Sequence, residues 1–356
     1  MARSRINGVF VKPKRLEELL ARFPTRRIAV LGDFFLDKYL EVDPRLAETS
    51  VETGKRANQV VAIRKSPGAA GTVVNNLAAL GAKSLHAIGA TGDDGEAFDL
   101  RQGLEAQGCS THGLLPFDFL NTPTYLKPRD VTDPSLAGEH ERYDTKNRRS
   151  TPSAVCEKII AQLDAILPAV DAIIIADQVT EADCGVVTAA VRSALAERAR
   201  RHPNVFFWAD SRAHIRSFRN VIIKANQFEA VGHENPQPDE VVSIDRLRQA
   251  VPRLRTEIGA PVCVTRGAAG MIVSDPEVSL VPGVTLTGPT DPTGAGDSAT
   301  AGAVLALCSG ATLPEAALVG CLVASITVQQ LATTGIATPE QVIERLDLWR
   351  EQNSGK

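Results

Sequence analysis

At 356 residues the chain exceeds one average domain, and with 44% hydrophobic and 23% charged side chains it can bury a core and has none of the composition of a disordered protein. Its formal charge is -3, and its Lys and Arg are scattered rather than striped, which excludes a surface that tracks a phosphate backbone, so nucleic acid is not an expected partner. The six cysteines form no C-x-x-C pair and read as reduced thiols. The N-terminal stretch MARSRINGVFVKPKRLEELL has no apolar run long enough for a signal peptide or a membrane span, so a cytoplasmic protein with no membrane partner is expected.

Along the chain, short β-rich apolar runs alternate with helical patterns. The runs are RIAVLG (27–32), SLHAIG (84–89), AIIIAD (172–177), VFFWAD (205–210), VIIKAN (221–226) and PVCVTRG (261–267). Between them the spacing predicts helices over 72–80, 95–107, 183–200, 241–258, 297–308 and 313–331, several closed by glycines such as Gly81, Gly108 and Gly259. That alternation predicts a doubly wound α/β fold with a mostly parallel sheet and helices on both faces. Residues 41–65 and 120–144 are polar and lack a helical period, and they read as strands of a small β lid. The expected organisation is an N-terminal extension over 1–26, one domain over 27–345 containing the lid, and a tail over 346–356. In such a sheet, ligands gather beyond the carboxyl ends of the strands.

The sharpest segment is GPTDPTGAGDSATAGAVLALCSG (288–310), a Gly-Ala-Gly turn that opens a helix of small residues. Bare N–H groups at a helix start attract anions, and glycine lets a phosphate approach the backbone. A carboxylate at Asp297 would repel that phosphate unless its task is to take a proton from an attacking hydroxyl. A helix cap preceded by a glycine loop fits the same spacing. SPGAAGTVVNNLAALGA (66–82) is a second glycine-rich turn before a helix, and GDFFLD (32–37) ends the first strand on two carboxylates, Asp33 and Asp37. In KANQFEA (224–230), Asn226 and Glu229 have capping-box spacing, and VTRGAAGM (264–271) by itself is a hairpin. The six histidines form no zinc-binding spacing.

In this order, TDPTGAGDS resembles the C-terminal signature of the PfkB, or ribokinase-like, family of carbohydrate kinases. The resemblance implies a ribokinase-like fold and phosphoryl transfer from ATP, with Asp297 as general base and the amides of Gly294, Ala295 and Gly296 stabilising charge on the moving phosphoryl group. By the same resemblance Asp37 is the main sugar ligand, assisted by Asp33, Gly68, Ala69, Thr72 and Asn76. Ala69 and Thr72 stand where the family pattern has glycine and asparagine. Asn226 and Glu229 would organise Mg2+ through water, and Thr265, Arg266, Gly267 and Gly270 would lie near the nucleotide. A monovalent cation is a further candidate, and a homodimer joined through the lids is expected.

GDFFLD, ADSR (209–212), RYD (142–144) and TVQQLATTGIATPEQV (327–342) are similar to the bacterial heptose-phosphate kinase branch, although that branch usually has Pro and Lys where Ser211 and Arg212 stand. No nucleotidyl-transfer domain is expected to follow. For a phosphorylated acceptor, Lys127, Arg129 and Arg142 are candidate phosphate ligands, with a solvated basic face as the alternative. A nucleoside kinase and a non-catalytic sugar or nucleotide sensor are the competing functions.

Overall fold

The computed structural model describes residues 11–133, 136–237, 239–275, 277–331 and 333–354. A first helix, α1 (Pro13–Leu20), leads to strand β1 (Arg27–Gly32), which enters the lid hairpin β2 (Phe34–Thr49) and β3 (Arg56–Ala69). Next come α2 (Ala70–Ala79), β4 (Ser84–Gly92), α3 (Gly95–Ala106), β5 (Cys109–Phe117), β6 (Thr124–Asp130) and β7 (Tyr143–Thr145). The middle of the chain forms α4 (Ser153–Ile166), β8 (Ala172–Asp177), α5 (Ala189–Arg201), β9 (Phe206–Ser211), β10 (Ile222–Asn226), α6 (Gln227–Val231), α7 (Ile244–Ile258), β11 (Val262–Thr265), β12 (Met271–Ser274) and β13 (Val278–Val281). Three helices close it: α8 (Ala295–Cys308), α9 (Leu313–Thr327) and α10 (Pro339–Asn353).

The main sheet runs β13-β12-β11-β10-β9-β8-β1-β4-β5, parallel from β11 through β5 with an antiparallel edge of β12 and β13. Its apolar runs are continuous because both faces are covered. Ile28, Val30, Ile174, Ala176 and Trp208 enter one core with α2, α8 and α9, whereas Ala29, Leu31, Ile173, Ile175 and Phe207 enter the other with α4, α5 and α7. Glycines let α8 and α9 approach: a Cβ on Gly302 would meet Val323 at 2.8 Å, and one on Gly320 would meet the Ala299 carbonyl at 2.7 Å. The lid is a separate sheet in the order β3-β2-β6-β7. Its hairpin strands start at Phe34 and end at Ala69, outside the expected 41–65, because buried Phe34, Phe35 and Leu36 tie the strand base to the body.

The expected ends need correction. Residues 13–26 belong to the body, since Leu16, Leu19, Leu20 and Phe23 are buried and Arg15 pairs with Glu315 of α9 at 2.9 Å. Residues 346–353 are the second half of α10 rather than a tail, because Leu346 and Trp349 face the core and the Trp349 indole donates to the Pro282 carbonyl at 2.8 Å. Residues 1–10, 355 and 356 lie outside the described part. The helix predicted over 183–200 begins at Ala189, where Thr188 caps it and left-handed Asp183 interrupts any earlier turn. All six cysteines are free, with Cys184 and Cys308 partly exposed.

Candidate active site

Gly294 takes a left-handed φ of 76° and opens α8. The Ala295 N–H turns back onto the Pro292 carbonyl at 3.1 Å, so Ala295 differs from its expected role as an anion donor. Among the described residues no acceptor meets the N–H groups of Gly294, Gly296 and Asp297, which stay available at the positive end of the helix. Gly296 lies close over the ion pair beneath it, since a Cβ would come 3.1 Å from the Lys224 ammonium and 3.7 Å from Asp210. Thr72, expected at the sugar, is buried with its methyl facing Gly294, where a Cβ would meet it at 3.2 Å. It therefore supports the anion turn from α2.

Asp297 is half-buried in the first turn of α8. Burial pushes its carboxyl up to about 7, and neighbouring Asp210 adds to the rise while Lys224 and Arg212 oppose it. Beneath it, parallel pairing sets Lys224 of β10 beside Asp210 of β9, and the two form a 2.7 Å ion pair with the lysine only 6% exposed. Sequence reasoning passed over this pair. Its signal was a lysine inside the apolar run VIIKAN.

On the acceptor side, Asp37 of β2 is buried and meets Lys127 of β6 at 2.9 Å. The Lys127 ammonium also donates to the Tyr39 hydroxyl at 3.4 Å and lies over the Tyr39 and Tyr125 rings. Gly68 is needed opposite Asp37, for a Cβ would come within 2.4 Å of the carboxylate. Arg129 is buried nearby, and Arg142 grips Asp144 at 2.7 and 2.9 Å while stacking over Tyr125 at 4.4 Å.

Two expected sugar ligands hold the scaffold instead. The Asp33 carboxylate accepts backbone N–H groups from Gln178, Val179 and Val186 at 2.7–3.2 Å, which ties β1 to the segment after β8. Asn76 is fully buried, and its amide donates to the carbonyls of Thr72 and Gly335, so it presents nothing to the acceptor. Ala69 sits at the start of α2 with φ 54° and ψ -118°, a backbone conformation suited to glycine.

On the nucleotide side, a cleft of about 420 Å³ is walled by Thr265, Gly267, Gly270, Val284, Gly296 and Val328, with further residues of α8 and α9. Gly267–Ala269 form a single 3-10 turn, and the Arg266 N–H closes it on the Gly270 carbonyl at 2.8 Å. The Arg266 side chain itself stays off the cleft wall. At the next strand end, Asn226 and Glu229 form a full capping box: the Glu229 carboxylate accepts the Asn226 N–H at 2.6 Å, and the Asn226 side chain caps Phe228 and Glu229. Burial raises Glu229 to about 7. Among the described residues no cluster of three metal-ligating side chains exists. A Mg2+ ion here would be held through its waters and by the nucleotide phosphates, since it is octahedral and keeps several waters when bound.

The cleft and the lid thus converge on the first turn of α8. The family model of the pfkB family carbohydrate kinases matches residues 28–340. The chain belongs to that family. That model describes carbohydrate kinases, enzymes that phosphorylate an alcohol group. The chain is 29% identical over 328 residues to the bifunctional protein HldE of Nitratiruptor sp., covering 89% of this chain and 64% of that protein. It is also 30% identical to HldE of Citrifermentans bemidjiense, covering 93% and 66%. The chain therefore spans about two thirds of the length of these relatives. Among solved structures, phosphofructokinase-2 from Escherichia coli in complex with substrates and products aligns with TM-score 0.67 at 19% identity, over 91% of this chain and 100% of that one. Ribokinase from Cryptococcus neoformans var. grubii serotype A in complex with ADP aligns with TM-score 0.61 at 20% identity, over 90% and 99%. These likenesses show a ribokinase-like fold. No helix among the described residues is long and apolar enough to cross a membrane.

Proposed function

We propose that the chain transfers the γ-phosphoryl group of Mg·ATP to a hydroxyl of a sugar or sugar phosphate, with Asp297 as general base. The observation that carries the reading is the position of this carboxyl, raised to about 7, in the first turn of α8 beside the N–H groups that no acceptor meets among the described residues. A base poised near neutral pH takes the hydroxyl proton as the oxygen attacks in line, and the N–H groups of Gly294, Gly296 and Asp297 receive the charge that develops on the phosphoryl oxygens. Mg2+, when bound, neutralises the β- and γ-phosphate oxygens, and Asn226 and Glu229 are the residues that would orient its waters.

Lys127 and Asp37 form a cation–carboxylate pair suited to a hydroxylated acceptor, and Arg129 and Arg142 line the same lid, Arg142 paired with Asp144. The sequence resemblance to heptose-phosphate kinases makes a heptose phosphate the first choice of acceptor. A second copy paired through the lid belongs to the same proposal, supported by the exposure of Val60, Val61 and Ile63 on β3. The test is ATP consumption by wild type and Asp297→Asn with ribose, fructose 6-phosphate and heptose 7-phosphates. Loss of the base lowers kcat on the order of a hundredfold or more. No turnover by the wild type with any acceptor would overturn the reading.

A further inference from the structure

Most of the positive charge at this site is already committed. Lys224 is held by Asp210 at 2.7 Å, Lys127 by Asp37 at 2.9 Å and Arg142 by Asp144 at 2.7 Å. Arg212 is different: among the described residues no carboxylate lies within 4.0 Å of its guanidinium, and its one hydrogen bond is a weak 3.4 Å contact to the Tyr125 hydroxyl of the lid.

Its location follows from the strand. Trp208 and Asp210 project from the face of β9 that carries α8, as the Trp208 bond to Thr300 of α8 and the Asp210 contact at Gly296 show. Side chains alternate along an extended chain, so Arg212 follows them onto that face just beyond the strand end. Ser211 points the other way, where its hydroxyl donates to Asp177 at 2.7 Å, and the Arg212 N–H donates to the Asp177 carbonyl at 2.9 Å. The backbone of Arg212 is therefore fixed while its long side chain is free. The side chain also borders the cavity shared by Asn226 and Glu229, and its charge acts on Asp297.

Resting on the phosphoryl-transfer reading, we infer that Arg212 is a further catalytic residue, an arginine supplied from the chain's own β9 end that contacts the γ-phosphoryl group during transfer. In the step it serves, the acceptor oxygen bonds to the γ-phosphorus as the bond to the β–γ bridging oxygen breaks. ADP leaves with that electron pair, and the acceptor proton passes to Asp297. Arg212 exchanges no proton; it meets the oxygens whose charge is redistributed, for which a planar guanidinium with several donors is suited. Its reach toward Tyr125 couples that contact to lid closure, so the charge arrives when water is excluded.

The test uses the 356-residue chain as wild type, Arg212→Met, Arg212→Lys and Tyr125→Phe. Steady-state ADP release is measured with ribose, fructose 6-phosphate and sedoheptulose 7-phosphate, and MgADP is titrated calorimetrically with and without tetrafluoroaluminate, a planar mimic of the moving phosphoryl group. Arg212→Met is expected to lose on the order of a hundredfold to a thousandfold in kcat with little change in KM for ATP. It should keep its MgADP affinity but lose the gain that tetrafluoroaluminate gives the wild type, and Arg212→Lys should recover part of both. An Arg212→Met enzyme with kcat within about threefold of wild type, or whose whole loss is reproduced by Tyr125→Phe, overturns the proposal and leaves the kinase reading intact. A wild type that phosphorylates none of the acceptors overturns both.

Discussion

Single residues decide how the site titrates and where it is strained. The base proposed at Asp297 would act only when ionised, and with its carboxyl raised to about 7 it is increasingly protonated below that pH. The expected kcat/KM therefore falls tenfold per pH unit on the acid side of about 7. A pH profile flat down to pH 5 would remove Asp297 from the role of base. Ala69 occupies a φ of 54° that only glycine adopts without strain, at the hinge where β3 gives way to α2. Such a conformation costs a β-carbon about 1–3 kcal/mol, and glycine's extra freedom in the unfolded chain returns up to about 1 kcal/mol of that. Ala69→Gly is expected to stabilise the protein by about 1 kcal/mol in urea unfolding, and an equal or lower midpoint would refute the strain.

At the scale of elements, α8 carries the candidate site and its neighbours hold it in place. Its C-terminal carbonyls are bound by side chains preceding β1: Arg26 meets Cys308, Arg22 meets Ser309 and Arg15 meets Gly310, at 2.8–2.9 Å. Cations at that end complement the helix dipole whose positive end faces the phosphate site. The helix α10 closes the same core through Leu346 and Trp349. Because Trp349 is buried and its indole N–H is bonded, Trp349→Ala is expected to cost about 3–5 kcal/mol of unfolding free energy by calorimetry or denaturant. A loss under about 1 kcal/mol would mean that residues 346–353 behave as the tail their polar sequence suggested.

Across the whole molecule, several acids are held above their ordinary range. Burial is the first cause for each, and Asp177, Glu229 and Asp297 are all pushed up to about 7. Between about pH 4, where an unfolded chain loses these protons, and about pH 7, the folded state binds more protons than the unfolded one. Stability therefore falls as pH rises through that window and levels off above it. Burial holds Asp33 high as well, while His86, held low, and the carboxylates held low by hydrogen bonds, such as Asp94 and Asp164, oppose the trend. Urea unfolding at pH 5 and pH 8 measures the difference, and Asp177→Asn, outside the phosphoryl-transfer groups, should shrink it. A wild type equally stable at both pH values would contradict the raised carboxyls.

Much of this was legible along the chain, for a clear reason. Strand runs buried on both faces, glycine turns and the TDPTGAGDS segment are local patterns, and local patterns fix the fold class, the order of the site segments and the position of Asp297. Pairings between distant segments are not local. Parallel register joined Asp210 to Lys224, pairing of β2 with β6 in the lid sheet joined Asp37 to Lys127, and helix packing turned Asn76 inward and Thr72 against Gly294. A carboxylate paired with a lysine and one aimed at three backbone N–H groups look alike in a sequence, as Asp37 and Asp33 do. Only the folded surroundings distinguish them, because burial and hydrogen-bond partners come from residues far away in the chain.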